Sequence, residues 1–324
     1  MKAWRSTSAA GLGDLALAEV PSPGAGAGEV VVRVVAGALN FSDLLMLRGA
    51  YQVRPPLPFV LGQEIAGTVS ANSARFRQGD RVAGKVLWGG FAEQVAARED
   101  MLIRLPQDVP FAEGASLPVI WPTAWIALHD RARILKAETV LVHAAAGGVG
   151  AAAVQLARAA GARVFATAGG ADKLALCREL GAEEVFDYRA GPWLEPLLAR
   201  NGGRGVDVVF DPVGGEITDL SVKALARNGR LLIVGFASGA IPALKANRLL
   251  LKNASALGVH WSHDTDAALV GRALEGVLAL RSAGKIRLLV GQRYPFADLP
   301  LALADLEARR TTGKSVIVME GGGE

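Results

Sequence analysis

The chain has 324 residues, of which 51% are hydrophobic and 20% are charged, and its net charge at pH 7 is +4. This length is enough for two domains with a large apolar core, and a small net charge without clustered basic and aromatic residues argues against a nucleic acid partner. The first residues lack the apolar core of a signal peptide, and no uninterrupted apolar run is long enough to span a membrane, so we expect a cytoplasmic protein.

Residues up to about 115 are predicted to form a β-rich region. Three segments, at 29–37, 65–70 and 91–95, are apolar at alternate positions or continuously, as strands are. A fourth strand is predicted after the Gly79-Asp80 turn pair. Prolines and glycines between 21 and 28, and prolines between 55 and 58, mark loops.

From about Trp121 the pattern changes to alternating strands and helices, which is typical of a doubly wound parallel sheet. The strands of this region are predicted at 139–143, 163–167, 184–187, 206–210, 230–234 and 256–259. A helix at 267–282, a strand at 288–290, a helix at 299–310 and a strand at 315–318 are predicted to follow. These later elements indicate a return to the first domain. We therefore predict an α/β fold with two domains. One comprises residues 1–120 and 265–324, and the other comprises residues 121–264.

The strand at 139–143 leads directly into a turn of small residues and a helix. Its apolar, β-branched sequence suits a parallel strand that is covered on both faces. Ala145, Gly147 and Gly150 occupy the three small-residue positions of a dinucleotide-binding turn. The first permits a tight turn, the second the approach of a pyrophosphate, and the third close packing of helix on strand. The N–H groups at the start of the helix would bind the phosphates.

The end of the next predicted strand indicates which dinucleotide binds. An NAD site places Asp or Glu there, roughly 20 residues beyond the glycines, to accept hydrogen bonds from the ribose. This chain instead reads Ala168-Gly-Gly-Ala-Asp172-Lys173. The missing carboxylate and the added lysine favour a ribose 2′-phosphate, so we predict NADPH. The alternative is that Asp172 and Lys173 only begin a solvated helix.

Longer motifs are spread over essentially the whole chain. They are Asn40-Phe-Ser-Asp-Leu-Leu-Met-Leu-Arg-Gly-Ala-Tyr51, Pro56-Leu-Pro-Phe-Val-Leu-Gly-Gln-Glu-Ile-Ala-Gly67, Gly89-Gly-Phe-Ala-Glu93, Val142-His-Ala-Ala-Ala-Gly-Gly-Val-Gly150, Asp211-Pro-Val-Gly-Gly215 and Thr312-Gly-Lys-Ser-Val316. Together they resemble the zinc-independent quinone oxidoreductase branch of the medium-chain dehydrogenase/reductase superfamily. The resemblance implies a Rossmann domain that binds NADPH, a β-rich GroES-like substrate domain that is interrupted in sequence, and a cleft where substrate and nicotinamide meet.

The resemblance also bears on metal content. Zinc-dependent relatives hold a catalytic zinc with a cysteine where this chain has Asn40 and a histidine where it has Gln63. Amide side chains are poor zinc ligands, and Cys177 is the only cysteine, so no zinc is expected. Glu64 then remains as a structural or hydrogen-bonding carboxylate. Without a Lewis acid the substrate must already accept hydride readily, as quinones and α,β-unsaturated carbonyls do.

Three residues are predicted on the substrate side of the cleft because they match family positions. Asn40 would hydrogen-bond the acceptor oxygen or, alternatively, cap a short helix. Asp43 lies on the same segment, and for it capping is the favoured interpretation. Tyr51 would donate a proton or a hydrogen bond to the developing enolate or phenolate, or alternatively pack in a turn beside Pro55.

The predicted cofactor-binding residues follow from the same matches. Those expected at the pyrophosphate are Gly147, Gly148, Val149 and Gly150. Those expected at the 2′-phosphate are Lys173, Tyr188 and Arg309, with Arg310 as an alternative to Arg309. Thr123 matches a threonine near the nicotinamide, and Phe236 follows a strand at the end of the sheet where ligands enter open α/β folds.

The sequence thus predicts NADPH-dependent reduction of a small-molecule quinone by hydride transfer without zinc. A 2-enoyl or alkenal reductase of the same branch needs the same residues, and the sequence does not separate the two. A non-catalytic NADPH-binding protein is the alternative of another class, against which the phosphate turn together with Asn40 and Tyr51 counts. Because relatives join their parallel sheets at the last strand, we expect a homodimer through Ala256–Val259 and neither a nucleic acid nor a membrane partner.

Overall fold

The computed structural model describes residues 1–320, which fall into two units. The first unit comprises Met1–Val119 and the described residues from Leu288 onward, and the second comprises Ile120–Arg287. The structure corrects the predicted domains at 265–287, which belong to the second unit. Residues 321–324 of the predicted range lie outside the described residues.

The strands of residues 1–320 are numbered in chain order. They are β1 (Lys2–Ser6), β2 (Leu15–Glu19), β3 (Glu29–Ala38), β4 (Phe59–Val60), β5 (Glu64–Val69), β6 (Arg81–Lys85), β7 (Gln94–Arg98), β8 (Leu102–Arg104), β9 (Thr139–Val142), β10 (Arg163–Ala168), β11 (Glu184–Asp187), β12 (Val206–Asp211), β13 (Leu225–Ile233), β14 (Ser255–Gly258), β15 (Val290–Pro295) and β16 (Lys314–Val318).

The α-helices of the same residues follow in chain order. They are α1 (Phe41–Leu47), α2 (Phe111–Ala115), α3 (Ile120–Trp125), α4 (Gly148–Ala159), α5 (Ala171–Leu180), α6 (Leu194–Arg200), α7 (Glu216–Ala224), α8 (Ala246–Lys252), α9 (His263–Ser282) and α10 (Leu299–Glu307). A π-helical segment, Ile126–Arg131, continues α3. Short 3-10 turns lie at Leu12–Asp14, Glu99–Met101 and Phe296–Asp298.

The first unit is built on a sheet in the order β15-β16-β3-β5-β6-β8, with β7 also paired to β3. All of its pairs are antiparallel except that of β15 with β16. Val30, Val32 and Val34 are buried along β3, which is the two-residue period of a strand with one face on the core. The strand predicted at 91–95 instead lies at Gln94–Arg98, and the one predicted at 288–290 begins at Val290.

The second unit contains a sheet of parallel strands in the order β11-β10-β9-β12-β13-β14. Counted from β9, this is the order 3-2-1-4-5-6 of dinucleotide-binding folds, so the predicted doubly wound sheet is confirmed. The last strand, predicted at Ala256–Val259, lies one residue earlier at Ser255–Gly258.

Helix α9 explains why residues 265–287 belong to the second unit. It contacts α3, and a Cβ on its Gly276 would lie 2.8 Å from Cζ2 of Trp125, so the glycine makes room for this indole. An amphipathic pattern predicts the helix but not the surface on which it packs. No helix in residues 1–320 combines the length and apolar character needed to cross a membrane.

Candidate active site and glycine-rich turn

In the second unit, the turn between β9 and α4 is tied to the neighbouring strand. The N–H of Gly147 donates to the Ala144 carbonyl (2.9 Å), and the N–H of Ala145 donates to the Thr167 carbonyl of β10 (3.1 Å). Gly147 is the N-cap residue of α4. The predicted pyrophosphate residues, Gly147 to Gly150, therefore form the cap and the first turn of this helix.

Gly150 is the position in this turn with the least space. A Cβ there would overlap the Ala144 carbonyl oxygen and would lie 2.8 Å from Ala145 Cα, which shows how closely the helix approaches the turn. The N–H of Ala151 donates to the Gly147 carbonyl (2.8 Å). The N–H groups of the first turn come before Ala151 in the chain, so the helix itself supplies no acceptor for them. These N–H groups, at the positive end of the helix dipole, are suited to bind an anion.

A second turn follows β10, and two side chains lie over it. A Cβ on Gly169 would lie 2.7 Å from Nε of Arg189 and 2.8 Å from the hydroxyl oxygen of Tyr188. Asp187, at the end of β11, holds both segments: its carboxylate accepts from the N–H of Gly170 (3.2 Å) and from the N–H of Arg189 (2.8 Å). The predicted Tyr188 thus lies beside this turn.

Arg189 is a candidate that sequence reasoning missed. Arg189 is exposed and lies just beyond the carboxyl end of β11. The predicted Lys173 lies in the first turn of α5, the helix that begins directly after Gly170. The sequence contained a signal for Arg189, because it is a second cationic residue besides Lys173 and it immediately follows the predicted Tyr188. These residues form the cation-bearing turn of the second unit, which we define as Gly169, Gly170, Lys173, Tyr188 and Arg189.

Arg309 lies in the first unit, just beyond α10, and its φ of 57° is in the left-handed region. Its N–H donates to the Leu306 carbonyl (3.0 Å), as at many helix ends. The alternative residue, Arg310, forms an ion pair with Asp305 at 2.6 Å. A role of Arg309 at a phosphate stays a prediction.

Thr123 and Phe236 also stay predictions, but both are held in place within the second unit. The hydroxyl oxygen of Thr123 accepts a hydrogen bond from Nε1 of Trp261 (3.0 Å). Phe236 follows β13 and is 38% exposed. Its ring lies against the turn at Gly214, where a Cβ would be 2.9 Å from the ring, and Asp211 fixes that turn by accepting from the Gly214 N–H (3.0 Å).

The other predicted residues meet in the first unit, where three strands end side by side. Ala38, the last residue of β3, pairs with Glu64 of β5 on one side and with Val316 of β16 on the other. This register brings Lys314, the first residue of β16, next to Asn40, which lies two residues beyond the end of β3. Positions that are far apart in the chain thus form one polar cluster.

Lys314, Glu64 and Asn40 form a buried network within this cluster. Nζ of Lys314 lies 2.6 Å from Oε2 of Glu64 and donates to Oδ1 of Asn40 at 2.5 Å. Nδ2 of Asn40 donates to Oε2 of Glu64 at 2.8 Å, and the N–H of Val119 donates to Oε1 at 2.7 Å. The side chains of Lys314 and Glu64 are 4% and 0% exposed. Both ends of the Asn40 amide are therefore engaged inside the protein.

Asp43 is fully buried in α1, beside this network. Its Oδ2 accepts from the N–H of Asn40 at 2.7 Å, which is the geometry expected of a residue that caps the helix. Burial raises the pKa of Asp43 to about 7, against the lowering effects of the Asn40 hydrogen bond and the charge of Lys314, and the nearby Glu64 raises it further. This carboxyl therefore changes its charge close to neutral pH.

The raised pKa of Asp43 predicts a pH dependence of stability. A carboxyl with a pKa of 3.8 in the unfolded chain and about 7 in the fold takes up a proton on folding. Its stabilising contribution is complete below the unfolded value and is lost as pH rises towards 7. In Asp43→Asn we expect this loss of stability with rising pH to disappear. Urea unfolding at about pH 5 and about pH 8 measures the difference in the free energy of unfolding. Asp172→Asn, at an exposed position, is the control, and parallel pH dependences of wild type and Asp43→Asn would contradict the assignment.

Tyr51 is half-buried and packs against the apolar core of the first unit. Nearby, Oγ of Ser42 donates a hydrogen bond to Oε1 of Gln63. Burial raises the pKa of Tyr51 and the charge of Asp43 adds to this, whereas the polar side chains of Gln63 and Ser42 lower it. The net shift is upward, so the phenol keeps its proton at neutral pH. The bond between Ser42 and Gln63 was not predicted, although both residues lie in the family motifs.

Potential metal ligands are dispersed through the described part of the chain. Within residues 1–320, no three His, Cys, Asp or Glu side chains are grouped so that they could share a metal ion. Cys177 is buried, and burial raises the pKa of its thiol to about 12. Such a thiol is inert at neutral pH, as expected from its place on a helix facing the sheet.

Comparison with known proteins places both units. Residues 26–107 match the alcohol dehydrogenase GroES-like domain, and residues 148–275 match the family described as zinc-binding dehydrogenase. The quinone oxidoreductase-like protein 2 of Rattus norvegicus is 36% identical over 312 residues, which cover 94% of this chain and 89% of the relative. The chain belongs to the quinone oxidoreductase branch of the medium-chain dehydrogenase/reductases.

Solved structures agree with this assignment. The quinone oxidoreductase from Thermus thermophilus, solved also as its complex with NADPH, is 40% identical with a TM-score of 0.84 over 98% of this chain and 100% of that one. The Escherichia coli quinone oxidoreductase complexed with NADPH is 29% identical with a TM-score of 0.91 and the same coverage. The family and the fold of a GroES-like and a Rossmann domain, both predicted from the sequence, are confirmed. The chain is therefore an oxidoreductase of the medium-chain dehydrogenase/reductase superfamily.

Proposed function

We propose that this oxidoreductase reduces quinones with NADPH by hydride transfer and without zinc. The observation that carries the proposal is the network of Lys314, Glu64 and Asn40. An ammonium group already neutralises Glu64 and engages the oxygen of Asn40, so a metal cation at this place would be repelled. Apart from Glu64, whose charge Lys314 neutralises, the donors here are amides rather than the thiolate and imidazole that zinc prefers, so zinc does not fit these residues.

The lack of a Lewis acid restricts the substrate. An unactivated carbonyl would need a metal to polarise it, whereas a quinone delocalises the added negative charge onto its distant oxygen. The protein then has to orient the acceptor and supply hydrogen bonds and a proton. A small-molecule quinone is therefore the proposed acceptor.

NADPH fits the residues of the second unit. The first turn of α4 offers N–H groups to a pyrophosphate, and Gly150 permits the close packing that places them. Where an NAD site has a carboxylate, β10 ends in the buried Ala168, and the cation-bearing turn follows it. When bound, NADPH supplies the hydride. The NADPH complexes of the Thermus and E. coli relatives support this choice.

In this mechanism Tyr51 is the proton donor. Its hydroxyl group remains protonated at neutral pH and would donate to the oxygen on which charge develops. We assign Asn40 a role other than binding the acceptor, whereas the role assigned to Asp43 is the capping that the sequence favoured. Their side chains bond to Lys314, Glu64 and the start of α1, so we assign them to holding α1, which carries Ser42.

The activity is tested by incubating the purified protein with NADPH and a panel of acceptors. We expect the absorbance of the reduced nicotinamide to fall with quinones, and chelators to leave the rate unchanged. Turnover of 2-enals or enoyl thioesters in preference to quinones would favour the enoyl or alkenal reductase. Tight NADPH binding without turnover of any acceptor would favour a non-catalytic NADPH-binding protein.

The choice of NADPH over NADH is expected to depend on Lys173 and Arg189. A charge-assisted hydrogen bond to a phosphate contributes enough that Lys173→Ala or Arg189→Ala should raise the Kd of NADPH about tenfold. The Kd of NADH, which has no 2′-phosphate, should change little. Fluorescence titration with each cofactor measures both values.

Arg178→Ala provides the matched control, because Arg178 lies on α5 but in its last turn. It removes the same charge from the same helix and should leave both Kd values unchanged. An equal loss of NADPH and NADH affinity in the Lys173 or Arg189 variant would mean that the residue does not bind the 2′-phosphate.

We also infer a homodimer that forms through β14. This strand is at the edge of the parallel sheet, and an exposed edge can pair with another copy. The preceding helix, α8, exposes Leu250 and Leu251 by 74% and 76%. Apolar side chains beside an open strand edge suit a contact between copies, and sedimentation equilibrium at micromolar concentration should give twice the mass of the chain. A monomer there would contradict it.

A further inference from the structure

His143 is a buried histidine of the second unit that the proposed mechanism does not use. It directly follows β9 and is 1% exposed. Its Nδ1 lies 2.8 Å from Oγ1 of Thr167, and its Nε2 lies 2.9 Å from Oγ of Ser221. We propose that His143, together with Thr167 and Ser221, is a positioning residue that holds the turn between β9 and α4 in the form that binds the pyrophosphate of NADPH. This inference rests on the proposed function, in which that turn binds the pyrophosphate.

The hydrogen bonds of Ser221 determine where the protons of this network lie. Oγ of Ser221 donates to the Ile217 carbonyl (2.7 Å), and a carbonyl can only accept. Ser221 has no second proton to give, so Nε2 of His143 carries a proton and donates it to Oγ of Ser221. Burial lowers the pKa of His143 to about 4, against the raising effect of the Asp211 charge, so the ring is neutral at neutral pH. Nδ1 therefore accepts the hydroxyl proton of Thr167.

The network joins three segments at the carboxyl end of the parallel sheet. Thr167 lies in β10, His143 follows β9, and Ser221 lies in α7. The buried Trp193 packs edge-on against the imidazole, with 4.9 Å between the ring centroids. A buried polar network whose members are all paired makes the structure around it rigid. The network thus ties β9 to β10 at the point where the chain enters the turn.

The residue after His143 shows why this turn needs support. Ala144 has a φ of 48°, in the left-handed region that alanine rarely adopts. Its carbonyl accepts from the N–H of Gly147, and the N–H of Ala145 donates to the Thr167 carbonyl. Thr167 therefore holds this part of the chain twice, through its carbonyl at Ala145 and through its hydroxyl at His143. Such a backbone persists only where its surroundings hold it.

The test removes the Thr167 hydroxyl group and measures dinucleotide binding. Thr167→Val keeps the shape of the side chain but leaves Nδ1 of His143 without its donor. The Kd values of NADPH and of NADH should both rise about 3- to 10-fold, the effect of one lost hydrogen bond. Thr167→Ser restores the hydroxyl group and should bind both cofactors like the wild type. This result differs from that of Lys173→Ala, which should weaken NADPH alone.

Thr139→Val is the matched control. Thr139 is the first residue of β9, at the opposite end of the strand from His143. Its hydroxyl group is buried and has no hydrogen-bond partner among residues 1–320. The control removes the same group from the same sheet, and both Kd values should stay unchanged.

Two NMR measurements on the full-length protein without cofactor observe the network itself. The ¹⁵N shifts of the His143 ring should show a proton on Nε2 and none on Nδ1 in the wild type. Hydrogen exchange of the Ala145 amide should be faster in Thr167→Val than in the wild type, while the amides of β12 keep their protection. A merely structural role of Thr167 would speed exchange throughout the sheet. If Thr167→Val does not fold, Ser221→Ala removes the acceptor of Nε2 and replaces it in both tests.

The outcomes separate the inference from the proposed function. A proton on Nδ1 of His143, or unchanged exchange at Ala145, would overturn the positioning role whatever the Kd values. Faster exchange at Ala145 with unchanged Kd values would instead show that the turn does not bind the pyrophosphate. That result would contradict the proposed function, and the inference with it.

Discussion

Lys314→Met is expected to lower the free energy of unfolding by about 3–5 kcal/mol, because it leaves a buried carboxylate without its cation. The Lys314 side chain is 4% exposed and that of Glu64 is 0% exposed, so water cannot replace the ammonium group. Asn40 would lose its Oδ1 partner in the same variant. Urea unfolding monitored by circular dichroism measures the loss.

Two further variants separate the charge from the shape of the side chain. Lys314→Arg keeps the charge and should be less destabilised than Lys314→Met. The double variant Lys314→Met/Glu64→Gln removes both charges and should recover part of the stability that Lys314→Met loses. A loss of less than about 1 kcal/mol in Lys314→Met would show that the pair is hydrated like a surface salt bridge.

Tyr51→Phe is expected to lower kcat for quinone reduction about 100-fold, because a positioned general acid contributes on this scale. The Kd of NADPH should be unaffected, since Tyr51 lies in the first unit and the predicted pyrophosphate residues lie in the second. Stopped-flow oxidation of NADPH with a saturating quinone measures the rate of the step itself.

Tyr294→Phe is the matched control for this substitution. It removes a phenol that donates to Asp305 (2.8 Å) in the same unit, at a position outside the polar cluster. We expect its kcat to stay close to that of the wild type. A Tyr51→Phe enzyme with an unchanged kcat would mean that water or another group protonates the product.

The features that the sequence predicted best are those encoded locally. Alternating strands and helices predicted the parallel sheet of the second unit, and the spacing of Ala145, Gly147 and Gly150 predicted the turn before α4. In both, a few neighbouring residues determine the backbone, so a pattern in the sequence is sufficient.

The polar cluster of the first unit shows where such reasoning stops. Lys314 and Asn40 bond to each other across 274 positions of the chain, and only the register of β3 with β16 brings them together. The raised pKa of Asp43 has the same origin, because burial is a property of the packed domain. Lys314 belongs to a recognised motif, but its partner could not be read from the motif itself.

Candidate residues near predicted ones were missed for a simpler reason. Arg189 follows the predicted Tyr188 directly, yet only the approach of its guanidinium to Gly169 shows that it faces the turn. Gln63 was considered as a replaced metal ligand rather than as a partner for Ser42. Which way a side chain points at the end of a strand depends on contacts that neighbouring sequence does not specify.

The place of β16 has a consequence for biosynthesis. This strand lies inside the first-unit sheet, between β15 and β3, although it is made after the whole of the second unit. All residues of the second unit leave the ribosome before Lys314 does, so this unit can mature while residues 36–38 of β3, which pair with β16, still lack that partner. This order departs from the usual N-terminal-first maturation, and protease digestion of nascent chains halted after Arg287 should cleave the N-terminal unit first.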